Sequence, residues 1–170
     1  MRGIVGAMAE EANSAAARRR KFLVVVDKSP ECAKALRFAS RRAEHTGGHV
    51  SLLTVVTPAD FQHWRSVEDA MREEALQEAE KLLHDAAREV NKLTGLFPEL
   101  IIREGKSREV LMGLFREDPD ISILVLASST GREGPGPLVS TVAQQAQQAY
   151  PIPVTIVPGG LSDEAIDALA

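Results

Sequence analysis

The chain has 170 residues, of which 44 % are hydrophobic and 26 % charged, as expected for one globular domain with a proper core. Its net charge of −4 argues against a nucleic-acid partner or an anionic membrane surface, because the chain lacks the basic field that attracts them. The single cysteine, Cys32, excludes an internal disulfide and favours a reducing compartment, so we expect a cytoplasmic protein.

The two ends of the chain differ from its middle. Residues 1–20 are predicted to form a flexible N-terminal extension, since their basic residues follow the small ones, the reverse of a secretory signal. Residues 159–170 are predicted to form a C-terminal tail, a short amphipathic segment with Ser162 as its N-cap. The domain is therefore expected to span residues 21–158.

The first half of the domain alternates strand and helix. The continuous β-branched run at 21–27 is typical of a strand buried on both faces. A helix is predicted over 28–48, with Ser29 as N-cap, Pro30 at the first helical position and glycines at the end. The second strand is predicted at 49–57, and the second helix at 67–93, where apolar residues recur every three or four positions.

The second half continues the alternation. A third strand is predicted at 99–105, and a third helix at 107–118 with Ser107 as N-cap. The remaining elements are predicted to be a strand at 121–127, a helix at 139–150 and a strand at 153–157. Strands joined by helical crossovers indicate an α/β fold with a parallel sheet and helices on both faces.

Candidate ligand-binding residues lie where the strands end. In such sheets, ligands bind outside the carboxyl ends of the strands, where the strand order reverses. Asp27 ends the first strand, and Val55 lies in the second. The fourth opens into "ASSTGREGPG", which leads to Ser140 and Thr141 at the start of the last predicted helix, where both are natural N-caps. Asp27 either caps the strand-to-helix turn or contacts a ligand, and the loop hydroxyls either bind an anion or satisfy their own backbone.

Four segments resemble the universal stress protein family of the adenine-nucleotide alpha-hydrolase-like superfamily. These are "VVVDKSPECAKALRFA", "LLTVVT", "REGKSREVL" and "STVAQQAQQAYPIPVTIV", and the resemblance covers residues 20–158. It implies a stress-response protein with a Rossmann-like fold, in which a five-stranded parallel sheet of order 3-2-1-4-5 carries two helices on each face.

The phosphate-binding motif of this family is altered here. Nucleotide-binding members carry Gly-x2-Gly-x9-Gly-[Ser/Thr], whose positions fall on Ala127, Thr130, Ser140 and Thr141, and only the last fits. Thr130 at a position that needs positive φ would be strained by about 1–3 kcal/mol. Pro135 and the proline at 137 each remove a donor N–H from the loop.

The resemblance still implies an adenine nucleotide, ATP or AMP, as the ligand. Its nucleoside side would be formed by Val25, Val26, Asp27 and Val55. Its phosphate side would be formed by Leu126, Ala127, Ser129, Thr130, Ser140, Thr141 and Val142. The alternative is a dimeric interaction or scaffold protein that binds no nucleotide.

Whether the protein is an enzyme stays open. The strand ends supply no nucleophile–base pair, acid pair or metal cluster, so we predict no catalytic or metal-binding residues. A third possibility is slow nucleotide hydrolysis that uses Asp27 with a magnesium ion.

The last strand predicts how two copies would associate. An edge strand rich in valine and isoleucine is normally covered or paired. The family resemblance implies a homodimer that pairs through Val154, Thr155, Ile156 and Val157.

Overall fold

The sheet has the predicted architecture. A computed structural model describes residues 20–57, 65–131, 134–144 and 150–170. All described strand pairs are parallel, and the order is β3-β2-β1-β4-β5, which confirms the prediction. The strands are β1 Lys21–Val25, β2 His49–Val56, β3 Glu99–Glu104, β4 Ile121–Ser128 and β5 Val154–Pro158. Apart from residue 20, the predicted N-terminal extension lies outside the described residues.

Helices cover both faces of this sheet. They are α1 Cys32–Thr46, α2 Arg65–Thr94, α3 Ser107–Glu117, α4 Pro137–Gln144 and α5 Asp163–Leu169. Helices α1 and α2 pack on one face and α3 and α4 on the other, while α5 joins the α1 side. None of the described helices combines the length and apolar character needed to cross a membrane.

The alternation of side chains along β1 divides the core into two layers. Phe22 and Val24 face α1 and α2, whereas Leu23 faces α3 and α4. All three are almost fully buried. Because both faces are covered, an uninterrupted apolar run is stable here, as the sequence predicted.

Helix α1 begins later than predicted. Glu31, not Ser29, is its N-cap, and Pro30 lies in the turn before it. The reason is competition for Ser29, whose backbone N–H and hydroxyl both donate to Asp27 Oδ1, at 2.9 and 2.5 Å. The helix ends as predicted, with Gly47 in the left-handed conformation at φ 66°.

Helix α4 begins earlier than predicted, at Pro137. Proline suits the first helical position, because its fixed φ matches the helix and its missing N–H would have had no helical partner. Ser140 and Thr141 therefore lie inside the helix, where Thr141 Oγ1 donates to the carbonyl of Pro137 at 2.8 Å. The predicted continuation over 145–149 lies outside the described residues.

The N-cap of α3 also differs from the predicted one. Lys106 is the N-cap residue and makes no side-chain capping bond, while Ser107 is the first residue of the helix. The predicted first residue of the helix is therefore confirmed, and the capping residue lies one position earlier.

The C-terminal segment packs onto the domain. Ser162 Oγ accepts a hydrogen bond from the N–H of Ala165 at 3.2 Å, which confirms it as the N-cap of α5. Ile166 is fully buried in the same core layer as Phe22. Residues 159–170 thus contribute an apolar side chain to the core.

Ion pairs join α5 to α1. Arg37 binds Asp167 through two nitrogens, at 2.7 and 2.5 Å, and Lys34 Nζ lies 2.8 Å from Asp163 Oδ1. Hydrogen bonding to Arg37 lowers the pKa of the Asp167 carboxyl, and hydrogen bonding to Lys34 does the same for Asp163. These exposed and half-exposed charges orient α5, while burial of Ile166 supplies the larger stabilisation.

Candidate functional site

Three cavities adjoin Asp27 at the carboxyl edge of the sheet, and two of them lie against the ends of the strands. The third, of about 530 Å³, lies between α1 and α2. The β1–β4 cavity lies between the ends of β1 and β4, where the strand order reverses, and has a volume of about 100 Å³. The β1–β2 cavity lies beneath α2 and has a volume of about 290 Å³. A cleft at this place in the sheet is where the fold places ligands.

The two cavities at the strand ends bring together all four residues of the predicted nucleoside side and three of the seven residues of the predicted phosphate side. Val25, Asp27, Leu126, Ala127 and Ser129 line the β1–β4 cavity. The other residues around it are Ser29, Glu31, Cys32, Pro135, Gly136, Pro137, Leu138 and Val139. The β1–β2 cavity is lined by Val26, Asp27, Lys28, Thr54, Val55, Val56, Thr57, Ala75, Glu78, Ala79 and Leu82.

Four of the predicted phosphate-side residues line neither cavity. Thr130 is exposed, and Val142 packs against the core under α3 and α4. Ser140 and Thr141 lie in the second turn of α4 because the helix starts at its proline. The prediction that these two residues form the helix N-terminus is therefore wrong.

Asp27 fulfils the turn-capping role that the sequence left open. Its Oδ1 accepts both bonds from Ser29, which closes the turn between β1 and α1. The same carboxyl group lines both cavities. A structural role and a position facing a ligand are thus compatible in this residue.

The loop after β4 satisfies many of its own polar groups. The N–H of Gly131 donates to Ser129 Oγ at 3.1 Å, and the N–H of Ser129 donates to the carbonyl of Pro135 at 3.3 Å. Gly134 and Gly136 have positive φ, 93° and 96°, which glycine adopts without strain. Every non-glycine residue that the structure describes has negative φ, so the strain predicted for Thr130 does not occur.

The charges around the two cavities differ. Among the described residues, the charged side chains around the β1–β4 cavity are the carboxylates of Asp27 and Glu31. In the β1–β2 cavity, Lys28 Nζ lies 2.5 Å from Glu78 Oε1, so the lysine neutralises the negative charge of Glu78. Helix α4 directs its positive end toward the β1–β4 cavity, but its first residue, Pro137, has no N–H to offer an anion.

The sequence analysis missed several lining residues. Glu31 was overlooked because the predicted start of α1 placed it within the first turn of the helix. Its contact with Gly159, which follows β5, could not be predicted from the sequence. Lys28 and Glu78 are 50 residues apart, so only the fold pairs them. The start of α4 had a local signal, since a glycine followed by proline is a common way to begin a helix.

Cys32 also lines the β1–β4 cavity, yet its environment makes it a poor nucleophile. Burial raises the pKa of its thiol to about 11. The burial follows from the position of Cys32 on the apolar face of α1. No group of three or more potential metal-binding side chains occurs in the described parts of the chain.

Comparison with known proteins connects this geometry to a family. A sequence model of the Universal stress protein family matches residues 18–158. The chain is similar to the solved structure of universal stress protein UspA from Lactobacillus plantarum, with 20 % identity over 83 % of this chain and 99 % of that chain and a TM-score of 0.69. The comparison with curated proteins gave no match.

Two further similar structures contain nucleotides. The universal stress protein from Archaeoglobus fulgidus in complex with dAMP is 23 % identical, with 81 % of this chain and 97 % of that chain covered and a TM-score of 0.53. A universal stress protein family protein from Arabidopsis thaliana with AMP bound is 17 % identical, with 85 % and 94 % covered and a TM-score of 0.54. At these identities, the likeness shows a shared fold.

Proposed function

The chain belongs to the universal stress protein family, and from this premise we propose that it is a cytoplasmic stress-response protein that binds an adenine nucleotide. The observation that carries the proposal is the meeting of the β1–β2 and β1–β4 cavities at Asp27. The nucleoside would occupy the β1–β2 cavity, and the phosphate would point toward the β1–β4 cavity.

The size and lining of the β1–β2 cavity support a nucleoside there. Its volume of about 290 Å³ is near the lower limit of roughly 300 Å³ for small-molecule sites. Val26, Val55 and Leu82 provide apolar walls, and Asp27 provides a polar group at one end. A flat aromatic base with polar edges suits such a mixed lining.

The similar structures with bound nucleotides support the same ligand class. Their bound ligands are dAMP and AMP, each with a single phosphate group. This chain shares their fold, and its own cleft lies at the carboxyl edge of the sheet. An adenine nucleotide with few phosphates is therefore the first ligand to test.

Isothermal titration with AMP tests the proposal. Substituting Ala75→Phe fills the β1–β2 cavity from α2, so we expect AMP affinity to fall at least ~10-fold. Ala70→Phe is the matched control, because Ala70 is an exposed residue of the same helix that lines neither cavity. Absence of AMP and ATP binding by the unmodified protein, or equal affinities of both variants, would contradict the proposal.

A second candidate function, a dimeric interaction protein, is favoured by β5. This edge strand pairs with β4 on one side, carries no charged residue, and has Ile156 39 % exposed. The opposite edge, β3, carries Glu99, Arg103 and Glu104, charges that discourage strand pairing. We infer that β5 pairs with β5 of a second copy.

Light scattering with gel filtration distinguishes this second candidate. We expect a dimer at micromolar concentration and a monomer for Ile156→Lys, which places a charge on the edge strand. Leu169→Lys is the control, because Leu169 is exposed and lies on α5, which packs against α1 and is not part of the edge strand. A monomeric unmodified protein would refute pairing through β5.

A further inference from the structure

Glu31 stands out among the residues around the cleft. It is half-buried, it lines the β1–β4 cavity, and its carboxylate makes no hydrogen bond or ion pair with any residue in the described ranges. The carboxylate lies at the positive end of α1, which favours a negative charge. Capping alone does not explain it, because the Glu31 side chain makes no capping hydrogen bond.

Gly159 confines the side chain of Glu31. A Cβ atom at position 159 would lie 2.5 Å from Glu31 Cγ and 2.7 Å from the carbonyl oxygen of Ser128. The N–H of Gly159 donates to that same carbonyl at 2.9 Å. The chain leaving β5 therefore presses against Glu31 at the point where β4 opens into the loop beside the cavity.

We propose that Glu31 is a specificity-determining residue, which lets the cleft accept adenosine or a nucleoside monophosphate and disfavours the triphosphate. This inference rests on the proposed function. Each added phosphate group brings more negative charge toward the carboxylates of Asp27 and Glu31, so repulsion grows along the series. No cation lines the described part of the β1–β4 cavity to compensate it.

The shape of the cavity acts in the same direction. Its volume of about 100 Å³ is well below the roughly 300 Å³ of ordinary small-molecule sites, so a long polyphosphate has little room there. The proline that begins α4 removes one backbone donor that would otherwise bind a phosphate oxygen. Charge and shape thus both limit the number of phosphate groups.

Titrations of adenosine, AMP and ATP with EDTA present, so that no divalent cation masks the phosphate charge, test the inference. We expect the unmodified protein to bind AMP more tightly than ATP. In Glu31→Gln, the ratio of AMP affinity to ATP affinity should fall at least ~5-fold, while the affinity for adenosine stays the same. Glu80→Gln is the control, an equal charge change at an exposed residue of α2 that lines neither cavity. Raising the salt concentration should also lower the ratio of AMP affinity to ATP affinity in the unmodified protein, because salt screens the repulsion.

The outcomes separate this inference from the proposed function. Tighter binding of ATP than AMP by the unmodified protein, or an unchanged ratio in Glu31→Gln, would overturn the role of Glu31 and leave nucleotide binding intact. Absence of binding of every ligand in all three proteins would overturn the proposed function, and the inference with it. Should Glu31→Gln fail to fold by circular dichroism, Glu31→Ser provides the same charge change at the N-cap with a favourable capping residue.

Discussion

Substituting Ile166→Ala tests whether α5 is an integral part of the fold. Ile166 is fully buried beneath α5 and belongs to the core layer that includes Phe22, Val24 and Leu36. It is the buried residue of a seven-residue helix, which is too short to be stable without packing. Removing its side chain therefore challenges the attachment of the whole helix.

The expected cost follows from the burial. Truncation removes about three methylene equivalents at ~0.8 kcal/mol each, and the cavity left behind raises the loss to about 3–4 kcal/mol. The better helix propensity of alanine returns about 0.4 kcal/mol. For a chain of this size, the loss corresponds to a fall in Tm of roughly 6–15 °C.

Urea unfolding followed by far-ultraviolet circular dichroism measures the change in the free energy of unfolding. Leu169→Ala is the control, because Leu169 lies on the same helix but is 64 % exposed, so its truncation should cost less than ~0.5 kcal/mol. Equal, small effects of the two substitutions would refute the packing of α5 against α1.

Two further predictions concern charge and backbone space. Hydrogen bonding to Arg37 lowers the pKa of the Asp167 carboxyl in the folded protein. The stability that this ion pair contributes is therefore present above the pKa of an unfolded aspartate, about 3.9, and is lost as pH falls toward the lower pKa of the folded state. The Tm of Asp167→Asn should therefore fall less between pH 6 and pH 3 than that of the unmodified protein, and parallel falls would contradict this. Gly48→Ala should cost about 1–3 kcal/mol, because the new Cβ would lie 2.6 Å from the carbonyl oxygen of Arg20. Gly113→Ala, in α3 with its nearest neighbour 3.9 Å away, should gain about 0.5–1 kcal/mol, and urea unfolding that gave the opposite order would disprove the steric argument.

The sequence predicted the sheet well because its signals are local and strong. The run from Phe22 to Val26 is apolar at every position, which is typical of a strand covered on both faces. The strand order came from the family resemblance, and the structure confirms it. These elements do not depend on any single hydrogen bond.

Helix starts were harder to predict, because several residues compete for the same backbone groups. Ser29 has the chemistry of an N-cap, but the Asp27 carboxylate two residues earlier binds it. At α4, the hydroxyls of Ser140 and Thr141 suggested a cap, whereas Pro137 suits the first helical position. Deciding between such neighbours requires the geometry of the turn.

Contacts between distant residues could not be predicted from the sequence. The confinement of Glu31 depends on Gly159, 128 residues further along the chain. The burial of Ile166 depends equally on where α1 lies. A helix signal at 163–169 gives no information about which surface it covers.

The pairing of α5 with α1 has a consequence for proteolysis. Lys34, Arg37 and Arg41 lie along one side of α1, and Asp163 and Asp167 neutralise them. Cleavage in the Gly159–Gly160 link, followed by release of α5, would uncover this basic row together with the apolar surface beneath Ile166. The cleaved protein would then bind to cation-exchange resins and to other proteins. Its later elution from a cation-exchange column would therefore reveal the cleavage, even where circular dichroism changes little.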